Sequence, residues 1–459
     1  MRTKRFLSTF LCAVLILTLL PSTTRAENDI WDGTMSQPVG EGTSTSHYLI
    51  YTAKELAWFA NKVNSGDDQT LYADLMADIV LNDTTNWTEW ATEKPDNTWT
   101  PISNSVNQNR IIFDGGGHTI SGLYIKSSDN YVGLFGYIGK NSSGFESAVK
   151  NLNLIESYIK GGQYVGGICG YLHQSSSISG CSSSAAVTGT GQYVGGIAGY
   201  VFNMAKVTDC QNMGTVSGNQ NVGGITGWSN GNSSITGCKN EGEINATSSY
   251  AGGIAGGNAG IIANAYNTAA VSSNRNVGGI CSYNGGTVSN VYNTGVISGT
   301  EYTGKVCGYN ITGSSINSAW FLGTSTDKGI GLNLGSAAVY YASAGQFASG
   351  ETAYLLGSGF GQRLGIDSSP VFRSSDGSNT VYKLSYMVNS TEYAVQYYNS
   401  GDTVSTARYP GSYHRGRLFR FMVRPACHYA RKRSYSDSKL YGRCITGSKD
   451  HHRYPAYGL

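Results

Sequence analysis

Two places in this sequence combine side chains that could do acid–base or metal chemistry. In the phrase FDGGGHTI, Asp114 and His118 stand four residues apart around three glycines. A carboxylate and an imidazole so placed can share a proton or hold a cation. The same phrase is also a tight-turn signature, with Asp114 accepting hydrogen bonds from its own turn, and the turn is the preferred reading. Glu241 and Glu243 are two residues apart, which places them on one face of a strand, where a pair could meet a sugar or a cation. Solvated strand charge is the simpler account. Between Tyr164 and Tyr309 the other carboxylates are Asp209 and Glu301 alone. Glycoside hydrolysis needs paired carboxylates and calcium sites need clustered ones, so this stretch is poorly equipped for either. His47 and His173 stand apart from other candidate ligands. The chain has no HExxH, GxSxG or P-loop phrase, and no dinucleotide fingerprint followed by a helix. The expectation is therefore no catalytic residue, no metal and no cofactor.

What must position these residues is a repeat. The phrases YVGLFGY, YVGGICGY, YVGGIAGY, NVGGITGW, YAGGIAGG, NVGGICSY and YTGKVCGY begin at Tyr131, Tyr164, Tyr193, Asn221, Tyr250, Asn276 and Tyr302. Their first glycines are Gly133, Gly166, Gly195, Gly223, Gly252, Gly278 and Gly304, at steps of 33, 29, 28, 29, 26 and 26 residues. A second phrase recurs between them, as in SISGCSSSAAVTG from Ser177 and TVSNVYNTGVISG from Thr287. Each unit holds three short alternating segments, too short for helices and bounded by Gly and Asn, which read as strands. Gly is 62 of 459 residues and charged residues only 13%, a composition that disfavours long helices. Three strands per unit of near-constant length predict a right-handed parallel β-helix, each turn stacked on the one before.

Alignment of the units yields columns. One holds Cys181, Cys210, Cys238, Ala265, Val291 and Ala319, small and apolar as an inward position requires. Another holds Asn212, Asn240, Asn267 and Asn293, whose amides could bond the amides above and below. The glycine pairs allow a sharp corner without a Cβ clash. Tyr171, Tyr200, Trp228, Tyr283 and Tyr309 recur after that corner. Pointing outward, they would form an aromatic stripe for sugar rings or a protein partner; stacked only on one another, they would serve stability alone. The residues leave these two readings even. The chain has nine cysteines; those in the repeat follow its spacing and read as buried free thiols, although an exported chain invites a disulfide reading.

The YVGGIAGY phrase resembles the GLUG repeat of bacterial surface proteins over about 131–309. Such repeats occur in adhesin-like proteins and beside the peptidase domain of streptococcal IgA-cleaving metallopeptidases. The resemblance implies an extracellular location and a repeat architecture, and supplies no catalytic residues. Pectate lyases and many glycosidases also use β-helices, so a carbohydrate-active enzyme is the alternative.

The ends differ from the repeats. Residues 1–26 read as a signal peptide, with Arg2, Lys4 and Arg5 before an apolar run and small residues at Thr24 and Ala26 predicting cleavage after Ala26. No later stretch is apolar enough to span a membrane. Residues 27–100 read as an N-terminal cap: Thr52-Ala-Lys-Glu55 is a capping box, and Leu56, Phe59, Ala60 and Val63 form one helical face. Trp31, Trp58, Trp87, Trp90 and Trp99 fit such a lid. The segments 72–81 and 110–125 read as early, irregular turns, and 101–325 as the solenoid proper. Residues 326–379 read as a C-terminal cap with one short helix over 344–357 and an irregular stretch through Pro370 and Phe372. Residues 380–407 form two Tyr-rich alternating segments that resemble the start of a Listeria–Bacteroides internalin B-type repeat.

The tail, 408–459, carries twelve Lys/Arg against two Asp/Glu, whereas 27–407 carries sixteen against twenty-seven. A basic tail could bind nucleic acid or acidic polymer, but it has no period and interrupts the Tyr-rich module. Sliding the frame by one base allows a continuation of that module to be read, so the tail is expected to be frameshifted and disordered. The sequence thus predicts a secreted or cell-surface monomer without nucleic-acid contact, a non-catalytic adhesin-like scaffold for a host or matrix glycan or protein.

Overall fold

The computed structural model describes residues 30–66, 69–106, 110–139, 146–357, 359–363, 365–373, 381–388, 391–399, 421–422 and 443–445. The leader read over 1–26 and most of the basic tail lie outside the described residues.

The repeats fold into a parallel β-solenoid of about nine turns. One turn shows the plan. Ser177–Ser179 and Ser182–Ser183 lie in a first sheet, Ala186–Gly195 in a second, and Ala198–Phe202 in a third. The next turn pairs with it in parallel register, Ile178 beside Val207, Val194 beside Val222 and Ala198 beside Thr226. Equivalent side chains therefore sit one above another at about 4.8 Å. Parallel pairing of this kind runs from Tyr48–Ile50 to Ser336–Ala342. The second-sheet strands are longer than the sequence suggested, ten residues in Ala186–Gly195, because each continues through a bulge near its middle.

The glycine corners join the second sheet to the third. A Cβ on Gly195 would lie 2.1 Å from the Ala198 carbonyl oxygen, and one on Gly223 2.1 Å from that of Thr226. The backbone thus folds against itself where no side chain fits, at Gly166, Gly252, Gly278 and Gly304 as well. At Gly133 the crowding comes instead from the next turn, where the Gly166 carbonyl oxygen would lie 2.7 Å from an added Cβ.

The interior is filled by aligned columns. Cys181, Cys210 and Cys238 are buried, free thiols, continued by Ala265, Val291 and Ala319. Burial pushes the Cys210 thiol well above its ordinary value, so it stays protonated and packs as a small hydrophobe.

One end of the tube is closed by helix α1 (Ala53–Asn64), which carries the full Thr52–Glu55 capping box. Its buried residues Leu56, Phe59 and Val63 belong to the core, and Phe59 meets Phe113, which in turn meets Phe135. Burying side chains of this size stabilises by about 1.5–3 kcal/mol each. The tryptophans do not gather in one lid. Trp31 packs on Trp99 and Trp58 on Tyr48, whereas Trp90 lies on Tyr124 within a separate cluster beside the tube.

The opposite region departs from expectation. The single helix read over 344–357 is two, α2 (Ala344–Ala348) and α3 (Glu351–Leu356), broken where Gly350 takes φ +84°. The stretch expected to be irregular pairs Phe360–Gly361 with Val371–Phe372. These elements lie along the side of the tube: Phe347, Leu356, Phe360 and Phe372 cover Tyr266 and Tyr292. The cause is a change in one outward column of the first sheet. It reads Asn153, Ser182, Gln211 and Lys239 in early turns, then Tyr266, Tyr292, Trp320 and Tyr340. Rings that would otherwise face water attract an apolar cover. Residues Val381–Val388 and Thr391–Asn399 form an antiparallel hairpin, and Phe421–Met422 and Arg443–Ile445 of the tail pair with its first strand.

Candidate functional site

Asp114 does not meet His118. Its Oδ1 accepts from the Gly116 amide and from Asn151 Nδ2, and its Oδ2 faces Lys150 Nζ at 2.9 Å. Burial raises the Asp114 pKa, but the Lys150 ammonium and these donors outweigh it, and the net result lies below the ordinary carboxylate value. His118 faces Asp78 at 3.4 Å, and His47 faces Asp74 at 2.9 Å while stacking on Tyr72. Each of these carboxylates thus has its own cation or imidazole. Glu241 accepts from Gln211 Nε2 and pairs with Lys239. Glu243 is exposed, and both glutamates lie in the corner between strands, not in a strand as the spacing suggested. Among the described residues no group of three or more His, Cys, Asp or Glu could hold a metal ion.

The aromatic residues, by contrast, are brought together. In the third sheet Tyr137, Tyr171 and Tyr200 stack at 5.0 and 5.1 Å between ring centroids. Trp228 occupies the next position, Gly257 the one after, then Tyr283 and Tyr309. Trp228 leans over Gly257, where an added Cβ would lie 2.2 Å from the indole, and stacks on Tyr283 at 5.5 Å. Tyr171, Tyr200, Trp228, Tyr283 and Tyr309 are all half-buried. They form a column along the outside whose ring faces are largely used by one another. Burial raises the Tyr171 phenol well above its ordinary value, with neighbouring Tyr137 and Tyr200 adding to it.

A second aromatic column, not singled out from the sequence, stands beside the first. Tyr131, Tyr164 and Tyr193 stack at 4.9 and 5.3 Å and meet the first column edge to face. These tyrosines, with Asn221, Tyr250, Asn276 and Tyr302, all have positive φ, between 40° and 67°. A left-handed conformation costs an L-residue about 1–2 kcal/mol, and a bulky residue rarely adopts it. It is held here by the register of the turns on either side. The signal was present, since each repeat phrase begins with Tyr or Asn, but sequence spacing alone does not reveal a backbone of this hand.

Inside the tube the aligned asparagines form a ladder of amide hydrogen bonds. Asn212, Asn240 and Asn267 each donate from Nδ2 to Oδ1 of the next, ending on Asn293, at 2.7–2.8 Å. A second, unanticipated ladder runs Asn258, Asn284, Asn310, Asn333 at 2.8–2.9 Å.

Comparison with known proteins agrees with the repeat. The GLUG motif matches residues 161–188. A protein of Evansella cellulosilytica that carries the provisional name Gly-rich membrane protein is 30% identical over 156 residues, 34% of this chain and 16% of that relative. The chain thus matches about one sixth of the relative's length. A crystal structure from Bacteroides ovatus, provisionally described as an immunoglobulin A1 protease, superposes with a TM-score of 0.46 at 19% identity, covering 73% of this chain and 94% of that one. No comparison supports the internalin-type resemblance read near the C-terminus. Among the described residues no helix is long and apolar enough to cross a membrane.

Proposed function

We propose that this chain is an exported, non-catalytic scaffold that presents its aromatic flank to an extracellular glycan or protein, as adhesin-like surface proteins do. The observation that carries this reading is the double column of stacked rings, Tyr131 to Tyr200, aligned turn upon turn on a rigid tube. A surface repeated in register suits contact with an extended partner better than turnover of a small one. The separate pairing of Asp74, Asp78 and Asp114 with His47, His118 and Lys150 also supports it, because each carboxylate already has a basic partner. The chain acts as a monomer after loss of its leader, and the hairpin over 381–399 belongs to a small extracellular β module appended to the tube.

The test is to apply the purified full chain to printed glycans and immobilised matrix proteins, and in parallel to soluble polysaccharides. Saturable capture without release of new reducing ends is expected. Steady appearance of reducing ends or of unsaturated product would replace this reading with a hydrolase or lyase.

A further inference from the structure

The aromatic flank has one interruption, and it falls in both columns at once. In the left-handed column the rings of Tyr131, Tyr164 and Tyr193 give way to Asn221, Tyr250 and Asn276 before Tyr302. In the third-sheet column the ring is missing at Gly257. These breaks are adjacent, since a Cβ on Gly256 would lie 2.5 Å from the Asn221 carbonyl carbon. Trp228 leans across Gly257 onto Tyr283 and closes the second gap, so the notch that remains lies at Tyr250, between Asn221 and Asn276.

Two features separate the notch from the rest of the flank. The first is an unused ring. Tyr131, Tyr164, Tyr193 and Tyr302 each stack on another ring, whereas Tyr250 is half-exposed and has no ring partner among the described residues. Stacked rings offer an incoming ligand only their edges; Tyr250 offers a face. The second is unmet hydrogen bonding. Asn221 and Asn276 are only 4% and 8% exposed, and the Oδ1 of each has no hydrogen-bond partner. Register places Asn221 one turn before Tyr250 and Asn276 one turn after it. Both share the left-handed backbone of the tyrosines they replace, with φ 55° and 51°, so they project in the same direction. A buried acceptor without a donor is costly, about 1–3 kcal/mol, and two of them flank the one unstacked ring.

We infer that this notch is a subsite for a neutral oligosaccharide. One sugar ring packs its C–H face on Tyr250, and sugar hydroxyls donate to Oδ1 of Asn221 and Asn276 once the Tyr250 ring swings aside, a motion that no stacked neighbour opposes. The ligand must carry donors, because the unmet atoms are acceptors. A neutral ligand suits the notch, because the adjacent Arg275 is already paired with Glu301 at 2.6 Å and offers no free charge to an anionic sugar. This inference rests on the proposed glycan-binding role and gives it a location.

The experiment is a printed array of neutral oligosaccharides probed with the full chain and three variants, followed by calorimetric titration of the best hit. Tyr250→Ala removes the platform. Asn221→Tyr restores the ring that other turns carry at that position, and fills the notch without an alien backbone demand. Tyr340→Ala removes an exposed ring of the first sheet, away from the flank. Loss of affinity of at least tenfold in the first two, with less than a twofold change in Tyr340→Ala, is the expected result. Unchanged affinity in both Tyr250→Ala and Asn221→Tyr would overturn the subsite and leave the binding role standing. A folded wild-type chain that captures no neutral oligosaccharide would overturn the subsite and the glycan half of the role together, leaving a protein partner.

Discussion

The early turns, from Tyr131 to Trp228, and the late turns, from Ala255 to Asn333, share a backbone and are held together by different means. In the early turns the inward column of the third sheet is Ile138, Leu172 and Val201; in the late turns the same column becomes Ser229, Asn258, Asn284, Asn310 and Asn333. In the third sheet the early turns back their outward rings with an apolar column, and the late turns replace that column with stacked amides. Stacked rings are weakly directional and lie half in water, so one turn can substitute Asn221 or Gly257 without loss of register. The amide ladders are directional and buried up to Asn310, and their interior members both donate and accept. Four successive asparagines run unbroken in each ladder, as expected where any gap strands a polar group.

The comparison breaks most visibly at Tyr292. It is fully buried, stacks on Tyr266 at 4.8 Å, touches Phe347 and Phe360, and donates its hydroxyl to the Pro370 carbonyl. Tyr292→Ala leaves a ring-sized cavity under the C-terminal cover and should cost about 3–5 kcal/mol, the range for large aromatic truncations. Urea unfolding measures the loss, and limited proteolysis should show cleavage within 343–372 before the tube is attacked. Simultaneous cleavage of tube and cover would show that the cover is not a separable layer.

Next in size is Asn267→Ala. Asn267 accepts from Asn240 and donates to Asn293 and to the Ala269 carbonyl. Removing it breaks three hydrogen bonds, although Asn240 keeps its bond to the Gly242 carbonyl and Asn293 its bond from the Gly295 amide; at about 0.5–1.5 kcal/mol a bond, a loss of about 2–4 kcal/mol is expected by the same unfolding assay. Tyr200→Ala in the outer column should cost less, because part of the ring is already in water. Equal losses for the two variants would erase the distinction between the two ways of joining turns.

Much of this was legible in the sequence because a repeat writes the same position many times. The glycine corners, the cysteine column and the ladder from Asn212 to Asn293 all follow from alignment of the units. The second ladder was less visible, since its column begins with Ile138, Leu172 and Val201 and turns to asparagine only after Ser229. The lateral cover was also written, as AYN, VYN and AWF where earlier units have CSS, CQN and CKN. What the sequence lacked was the facing of that column: alternation tells inward from outward, but not which outward rings a later segment will fold back to cover. The Asp114–His118 candidate failed for a related reason. Four residues around a glycine turn place two side chains near each other in sequence, yet stacking brings Asp114 beside Lys150 of the next turn.

The smallest predicted effect concerns the one histidine in the ring columns. His173 is 7% exposed, lies beside Tyr137 and Tyr171, stacks on Phe202 at 5.6 Å, and its Nδ1 has no hydrogen-bond partner. Burial holds its pKa below the ordinary imidazole value of 6.5. The unfolded chain therefore takes up a proton near that pH while the folded chain does not. Stability from this group is fully present above pH 6.5, declines as the pH falls through 6.5 toward the lower folded value, and then levels off. The late turns from Ala255 to Ala342 contain no histidine, so the decline should be confined to the early turns. His173→Phe supplies the test, because the next turn already carries Phe202 at the paired position. Hydrogen exchange between pH 7.5 and 5.5 should show protection falling around Cys169–Phe202 in the wild type, holding in the late turns, and holding in both for the variant. An equal fall in the variant would assign the pH response to other groups and remove the last asymmetry between the two halves.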